Sequence, residues 1–183
     1  MRQHFVISLV GDDRNGLVDK VAEAIKRGRG NLEDSRMAVL GAEFAMMMLC
    51  SAGAEQAAAL QAELRKTAEE LELLITVKPT SPRQHNLDSV PMTLSVRGMD
   101  HEGIVHEFVR HLVDHGISVE HLDSQVVNAP YSGVPLFEMQ VQLRAPASVS
   151  LASLRKLLTK VADELNVDVE IQSRPVTPRS FHV

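Results

Sequence analysis

Gly11-Asp12-Asp13-Arg14-Asn15-Gly16 decides the fold, because the chain carries a second version of it, Gly98-Met99-Asp100-His101-Glu102-Gly103. Each copy follows an alternating segment, Phe5-Val6-Ile7-Ser8-Leu9-Val10 or Met92-Thr93-Leu94-Ser95-Val96-Arg97. Each runs on into apolar residues at helical spacing, beginning Leu17-Val18 or Ile104-Val105. Two glycines with an aspartate between them permit a tight strand-to-helix turn, since glycine accepts positive φ and lets a ligand or another backbone come close. The aspartate can accept backbone N–H bonds in the turn or cap the helix. A helix start also offers free N–H groups that favour an anion such as a carboxylate. A turn with no ligand explains either copy taken alone. The pattern is not a phosphate-binding P-loop, because Leu17 and Ile104 stand where the lysine belongs.

Working outward, residues 3–10 read as a strand, and Leu17, Val18, Val21, Ala22 and Ile25 form one face of a helix. Gly28 and Gly30 are expected to end that helix. Residues 31–40 and 42–50 read as a hairpin split at Gly41. Met46, Met47 and Met48 are consecutive, so a strand must point them to both faces; core filling and a covered outer face are expected. Residues 54–72 are helical, and Leu73 to Lys78 a short strand. Lys78 to Pro91 is polar and proline-punctuated, which reads as a linker. The same order then restarts. A shift of 87 places Gly11 on Gly98, Asp13 on Asp100, Gly16 on Gly103 and Glu33 on Glu120. A shift of 93 places Phe44 on Phe137, and one of 94 places Leu64 on Leu158.

Two β-α-β-β-α-β passes define an α+β fold of two tandem ferredoxin-like domains, each an antiparallel four-stranded sheet with both helices on one face. The expected boundaries are 1–79 for the first domain, 80–90 for the linker, 91–175 for the second domain and 176–183 for a tail. Edge strands need pairing or cover, so edge-to-edge placement of the copies and homo-oligomerisation are expected. Small cores of this size are marginal alone.

Composition narrows the function. The net charge is −5, with no basic block and five Phe, one Tyr and no Trp. That argues against direct nucleic-acid binding, which needs a basic stripe or stacking aromatics. One cysteine, Cys50, forbids an internal disulfide and fits a reducing compartment. No apolar run is long enough to span a membrane, so a cytoplasmic protein with no membrane partner is expected.

Chemistry is sparse. Glu107, His111 and His115 recur at i, i+4, i+8 and could ligate zinc from one side of a helix; a histidine-rich solvated edge explains them as well. Cys50 reads as a small buried hydrophobe rather than a nucleophile. No serine lies in a G-x-S-x-G setting, and no carboxylate pair is marked out as acid and base. The expectation is therefore no enzyme and no cofactor, with a small metal-dependent enzyme using the histidine-rich helix as an alternative. A binding role remains. Asn31 opens the second strand, and the topology is expected to set it beside the first loop, where Asn15, Asn31 and helix-start N–H groups would hold a carboxylate and an ammonium. Glu102 and Ser118 match them in the second copy.

The element order, the Gly-x-Asp-x-x-Gly turn and the Gly-Asn-Leu at the second strand resemble an ACT domain. The segment Asn31-Leu32-Glu33-Asp34-Ser35-Arg36-Met37-Ala38-Val39-Leu40-Gly41-Ala42-Glu43-Phe44 is similar to the matching stretch of the glycine cleavage system transcriptional repressor family. The resemblance implies an amino-acid-binding regulatory protein with the ligand, glycine as the candidate, held between paired copies. It also implies a repressor without a DNA-binding domain, acting on a LysR-type transcriptional activator; a stand-alone amino-acid sensor regulating another protein is the alternative. Carried over by position, the ligand candidates are Asp13, Asn15, Gly16, Leu17 and Asn31, then Asp100, Glu102, Gly103, Ile104 and Ser118. Ser118 departs from the expected asparagine.

Overall fold

A computed structural model describes residues 2–81, 88–129 and 132–174. It divides into two compact units, Met1–Gln84 and His85–Val183. The first contains β1 (Arg2–Asp12), α1 (Leu17–Arg27), β2 (Asn31–Leu40), β3 (Glu43–Gly53), α2 (Ala57–Glu70) and β4 (Leu74–Thr80). The second contains β5 (Ser89–Met99), α3 (Ile104–Asp114), β6 (Ser118–Asn128), β7 (Pro135–Pro146), α4 (Leu151–Leu165) and β8 (Val167–Ser173). The stretch expected as a linker is strand at both ends. Pro79 pairs with Phe5 and Pro91 with Arg144. Proline survives there because β4 is an edge strand, and Pro91 precedes the first residue that β8 pairs. The expected tail and Pro130-Tyr131 of the β6–β7 hairpin lie outside the described residues.

Each unit is one antiparallel sheet, ordered β2-β3-β1-β4 or β6-β7-β5-β8. In the first, Phe5, Ile7 and Leu9 of β1 and Phe44, Met46 and Met48 of β3 face the helices, which supply Leu17, Val21, Ile25, Leu60 and Leu64 to one core. The second unit repeats this with Leu94, Val96, Phe108, Leu112, Phe137, Met139 and Leu158. Period 2 on the strands and period 3.6 on the helices thus close both cores with aliphatic bulk and two phenylalanines each. Gly28 is not the left-handed end of α1. Its φ is −72°, and the positive φ falls on Arg29. Gly28 is small because α2 lies against it: a Cβ there would sit 2.6 Å from the Cα of Leu60.

The two copies also share a bulge. The β2–β3 register shifts between Leu32 and Asp34, and the β6–β7 register between Val119 and His121. The inserted residues are Glu33 and Glu120, which the 87-residue shift superimposes. Glu33 pairs with His4 at 3.4 Å, and Glu120 with Arg144 at 2.9 Å.

Candidate functional site

The first loop leaves β1 at Asp12, which lies opposite Glu43, and enters α1 through Gly16 at φ 87°. A left-handed residue is what turns the chain from strand direction into the helix, and an L side chain there costs roughly 1–2 kcal/mol. The second loop repeats the device with Gly103 at φ 92°. Neither glycine has a heavy atom within 4 Å of where a Cβ would stand, so the space at both helix starts is open. Asp13 does not cap α1, and no side chain caps α1 or α3. Its backbone N–H instead donates to the Ala42 carbonyl at 2.8 Å, tying the loop to the hairpin; the Asp100 N–H donates to Pro135 at 3.3 Å in the same way. The first helical bond of α1 runs from the Lys20 N–H to Gly16, and that of α3 from Glu107 to Gly103. The preceding N–H groups of each first turn therefore point out of the helix with no side-chain acceptor. By contrast α4 is capped, with the Ser150 hydroxyl accepting from the Ser153 N–H at 3.1 Å. α2 also starts without a side-chain cap, but from a right-handed Gln56 rather than an open glycine turn.

Leu17 and Ile104 are core residues, 4% and 2% exposed, so only their backbone N–H groups are available to a ligand. Asn15, Asp100 and Glu102 are exposed on the loops.

Each loop is strapped to the far end of the second helix of its own unit. The Arg14 guanidinium donates to the Leu71 carbonyl at 2.7 Å and reaches Glu72 at 3.3 Å. His101, its equivalent, places Nε2 2.8 Å from the Leu165 carbonyl and Nδ1 3.0 Å from the Glu102 carbonyl. A cation at a helix C-terminus meets unpaired carbonyls and the negative end of the dipole. Because both ring nitrogens of His101 face acceptors, the imidazolium satisfies both contacts. The bonds to Glu102 and then Leu165, with the Asp100 charge, raise its pKa above the ordinary histidine value. Sequence reading missed this strap; the only signal was a basic residue at the same place in both loops.

Asn31 is not beside the loop. It pairs with Ser51, which pairs with His4, whereas Gly11 pairs with Phe44 at the other end of the sheet. His4 and Gly11 are seven residues apart on β1, roughly 23 Å at about 3.3 Å per residue. The expectation failed on direction: α1 carries the chain back down the sheet, so β2 starts at the end where β1 starts. Ser118 is likewise opposite Arg144 and Pro91, away from Gly98, which pairs with Phe137. A single unit therefore does not bring Asn31 or Ser118 to its own loop.

The Asn31 end has its own chemistry. Ser51 is 1% exposed, and its hydroxyl has no hydrogen-bond partner among the described residues. The strands flanking Ser51 carry His4 and Glu33, which meet at 3.4 Å. A buried hydroxyl without a partner costs about 1–3 kcal/mol. In the second unit the residue opposite Ser118 is Arg144, and its guanidinium is satisfied by Glu120 at 2.9 Å and by the Ser89 hydroxyl at 3.4 Å.

The histidine-rich helix does not assemble the trio. α3 ends at Asp114, and His115 is its cap, with Nδ1 2.8 Å from the His111 carbonyl. Glu107 pairs with Arg110, which holds its carboxyl below the usual range. Among the described residues no three His, Cys, Asp or Glu side chains group as metal ligands. Cys50 is fully buried, and burial, with the Glu33 charge, pushes its thiol up to about 11. Among the described residues no helix is long and apolar enough to cross a membrane.

Comparison with known proteins agrees with this architecture. Residues 3–78 match the family model described as ACT domain. The glycine cleavage system transcriptional repressor of Escherichia coli (strain K12) is 28% identical over 170 residues, covering 92% of this chain and 90% of that protein. The crystal structure of an unknown protein from Galdieria sulphuraria superimposes with a TM-score of 0.85 at 30% identity, covering 96% of this chain and all of that one. A second crystal structure, of a protein described as a candidate glycine cleavage system transcriptional repressor, shares the fold at a TM-score of 0.70 and 24% identity, over 95% and 98% of the two chains. Residues 3–78 thus form an ACT domain, the second unit repeats its β-α-β-β-α-β sheet, and the chain as a whole resembles the glycine cleavage system transcriptional repressors.

Proposed function

We propose that this protein senses a small amino acid, glycine first, and represses expression of a glycine cleavage system by binding a LysR-type transcriptional activator. The observation that carries the sensing part is the pair of open, uncapped helix starts behind Gly16 and Gly103. Outward N–H groups at a helix start suit a carboxylate. The ammonium needs acceptors, and the Asn31 side chain beside the unpartnered Ser51 hydroxyl supplies them. Since Asn31 and Gly11 lie at opposite ends of one sheet, no single unit offers both to one ligand. The repression part rests on similarity to the E. coli repressor along 92% of this chain. A net charge of −5 with no basic stripe supports action through a protein rather than on DNA. Nothing in the reading requires catalysis.

Thermal melting with glycine and with each other amino acid tests sensing. A ligand bound only by the native chain stabilises it by RT ln(1 + [L]/Kd), about 2.7 kcal/mol at a hundredfold excess over Kd. No shift with any amino acid overturns the sensor reading. Co-purification with the LysR-type activator, with and without glycine, tests the partner. Retention in the absence of glycine and release on its addition is the expected result.

A further inference from the structure

Among the described residues of the first unit, nothing covers the outer face of its sheet, away from the helices. Met47 is 57% exposed, Leu74 78%, Leu40 75% and Val10 42%, with Val6 and Leu49 half-buried between them. The expected cover over Met47 is absent from its own unit. The fold does not demand an apolar outer face. At the places of Ser8, Val10, Ala45, Met47, Leu74 and Thr76 the second sheet carries Ser95, Arg97, Glu138, Gln140, Asp168 and Glu170. An apolar face on one copy and a solvated face on its duplicate marks the first as a contact surface.

We propose that this face self-associates, packing against the same face of a second copy of the chain about a two-fold axis parallel to the strands. The cross-strand rows carry the argument. One row reads Asp34, Leu49, Val6, Lys78 across β2-β3-β1-β4; the next reads Arg36, Met47, Ser8, Thr76; the third reads Ala38, Ala45, Val10, Leu74. A two-fold along the strands lays β2 over β4 and β3 over β1 of the second copy. Asp34, which already holds Arg36, then meets the second copy's Lys78. Met47 meets Ser8, Ala45 meets Val10 and Ala38 meets Leu74, so large lies on small in each pair. Charge and volume are therefore self-complementary in one arrangement, as an isologous interface requires. Four strands at about 4.8 Å and about seven residues at about 3.3 Å give a flat footprint near 440 Å². Side-chain relief brings that toward the ~600 Å² per partner at the lower limit of specific interfaces. The dimer is accordingly expected to dissociate on dilution.

Sedimentation of the full chain over a dilution series reaching roughly 100 μM is the test. The wild type is expected to shift from monomer to dimer with concentration. Met47→Glu and Leu74→Glu, both on exposed side chains, are expected to stay monomeric with an unchanged circular dichroism spectrum. Asp34→Lys and Lys78→Asp are each expected to weaken the dimer, and the double exchange to restore it. A wild type that is monomeric throughout, or a dimer that survives Met47→Glu, overturns the proposal. Failure of the double exchange to restore association overturns the strand-parallel axis.

Discussion

Gly11 and Gly98 occupy the same place in the repeat, yet alanine is expected to cost differently at each. Gly98 pairs with Val167 on β8. A Cβ there would lie 2.5 Å from Val167 Cγ1, 2.9 Å from its Cβ and 3.0 Å from its Cα. Two of those atoms move only if the strand moves, so overpacking of about 1–3 kcal/mol is expected. Removing a glycine also restricts the unfolded chain and returns about 0.4–1 kcal/mol. The net for Gly98→Ala is a loss of roughly 1–2 kcal/mol, which for a unit of this size lowers its melting temperature by roughly 4–8 °C per kcal/mol. A Cβ on Gly11 would lie 2.7 Å from Leu73 Cδ2, the end of a flexible side chain, and 3.3 Å from the Glu72 carbonyl. Leucine can turn aside, so Gly11→Ala is expected within about 0.5 kcal/mol of neutral. Val167→Ala alone loses about 1.6 kcal/mol at ~0.8 kcal/mol per methyl. Combined with Gly98→Ala it removes the closest clash and leaves the Cβ contact, so the pair should cost less than the sum by about 0.5–1 kcal/mol. Guanidinium unfolding followed by circular dichroism measures all four. Equal costs at Gly11 and Gly98, or strict additivity with Val167→Ala, would refute the reasoning.

Other outcomes follow from the same geometry. Ser51→Ala removes a buried hydroxyl without a partner, so the free protein should be as stable or more stable, by up to about 1–3 kcal/mol, while its melting response to glycine shrinks; a destabilised free protein contradicts the assignment. Gly16→Asn should fold nearly as well as wild type, because asparagine tolerates a left-handed φ, whereas Gly16→Val should lose roughly 1–3 kcal/mol from strain before any ligand is considered. Glycine titration of the asparagine variant, not the valine variant, therefore isolates the loop's part in binding. The His101 contacts favour the imidazolium, so its pKa is raised on folding. The stability it contributes is complete below the unfolded value near 6.5 and fades as pH rises through the higher folded value. Thermal melts from acid to mildly alkaline pH should flatten in His101→Gln; an identical pH profile in wild type and variant removes the strap.

The repeat of Gly11–Gly16 at Gly98–Gly103 was enough to read both folds, because turn chemistry and a change from period 2 to period 3.6 are local properties. Cys50 and the alternation of Met46, Met47 and Met48 were legible for the same reason: two inward and one outward is what a strand imposes. What failed was long-range. Asn31 was placed at the wrong end of the sheet, since adjacency in sequence to α1 does not tell which end of the strand adjoins a loop. Gly28 ends α1 as expected, but the approach of Leu60 that also requires a glycine there, a contact between helices 32 positions apart in sequence, was not legible. The Arg14 and His101 straps end on backbone carbonyls, which have no residue identity to read. Ser51 is one serine among many until the register sets it between His4 and Asn31.

The duplication kept its scaffold and changed its chemistry, and the changes fall on one side. Both units hold a bulge glutamate, a loop–hairpin bond and a loop-to-helix strap. Among the described residues, the first unit alone leaves a buried hydroxyl unpartnered, that of Ser51 opposite its strand start. Its outer face is also apolar at Val10, Met47 and Leu74, where the second sheet has Arg97, Gln140 and Asp168. Each feature costs stability or solubility, and natural sequences accept such violations mainly at functional sites. In the second unit Arg144 fills the place of Ser51 and spends its donors on Glu120 and Ser89. Ser118, opposite it, therefore faces a satisfied guanidinium rather than an open acceptor. If the amino acid needs a strand start, only the first is open, and calorimetric titration should give close to one glycine per chain. Arg144→Ser is expected to open the second start and raise that number toward two, at some loss of stability because Glu120 is left without its partner. Two sites in the wild type, or one unchanged site in a folded Arg144→Ser variant, would show that the strand start does not limit binding and return the choice of site to the loops.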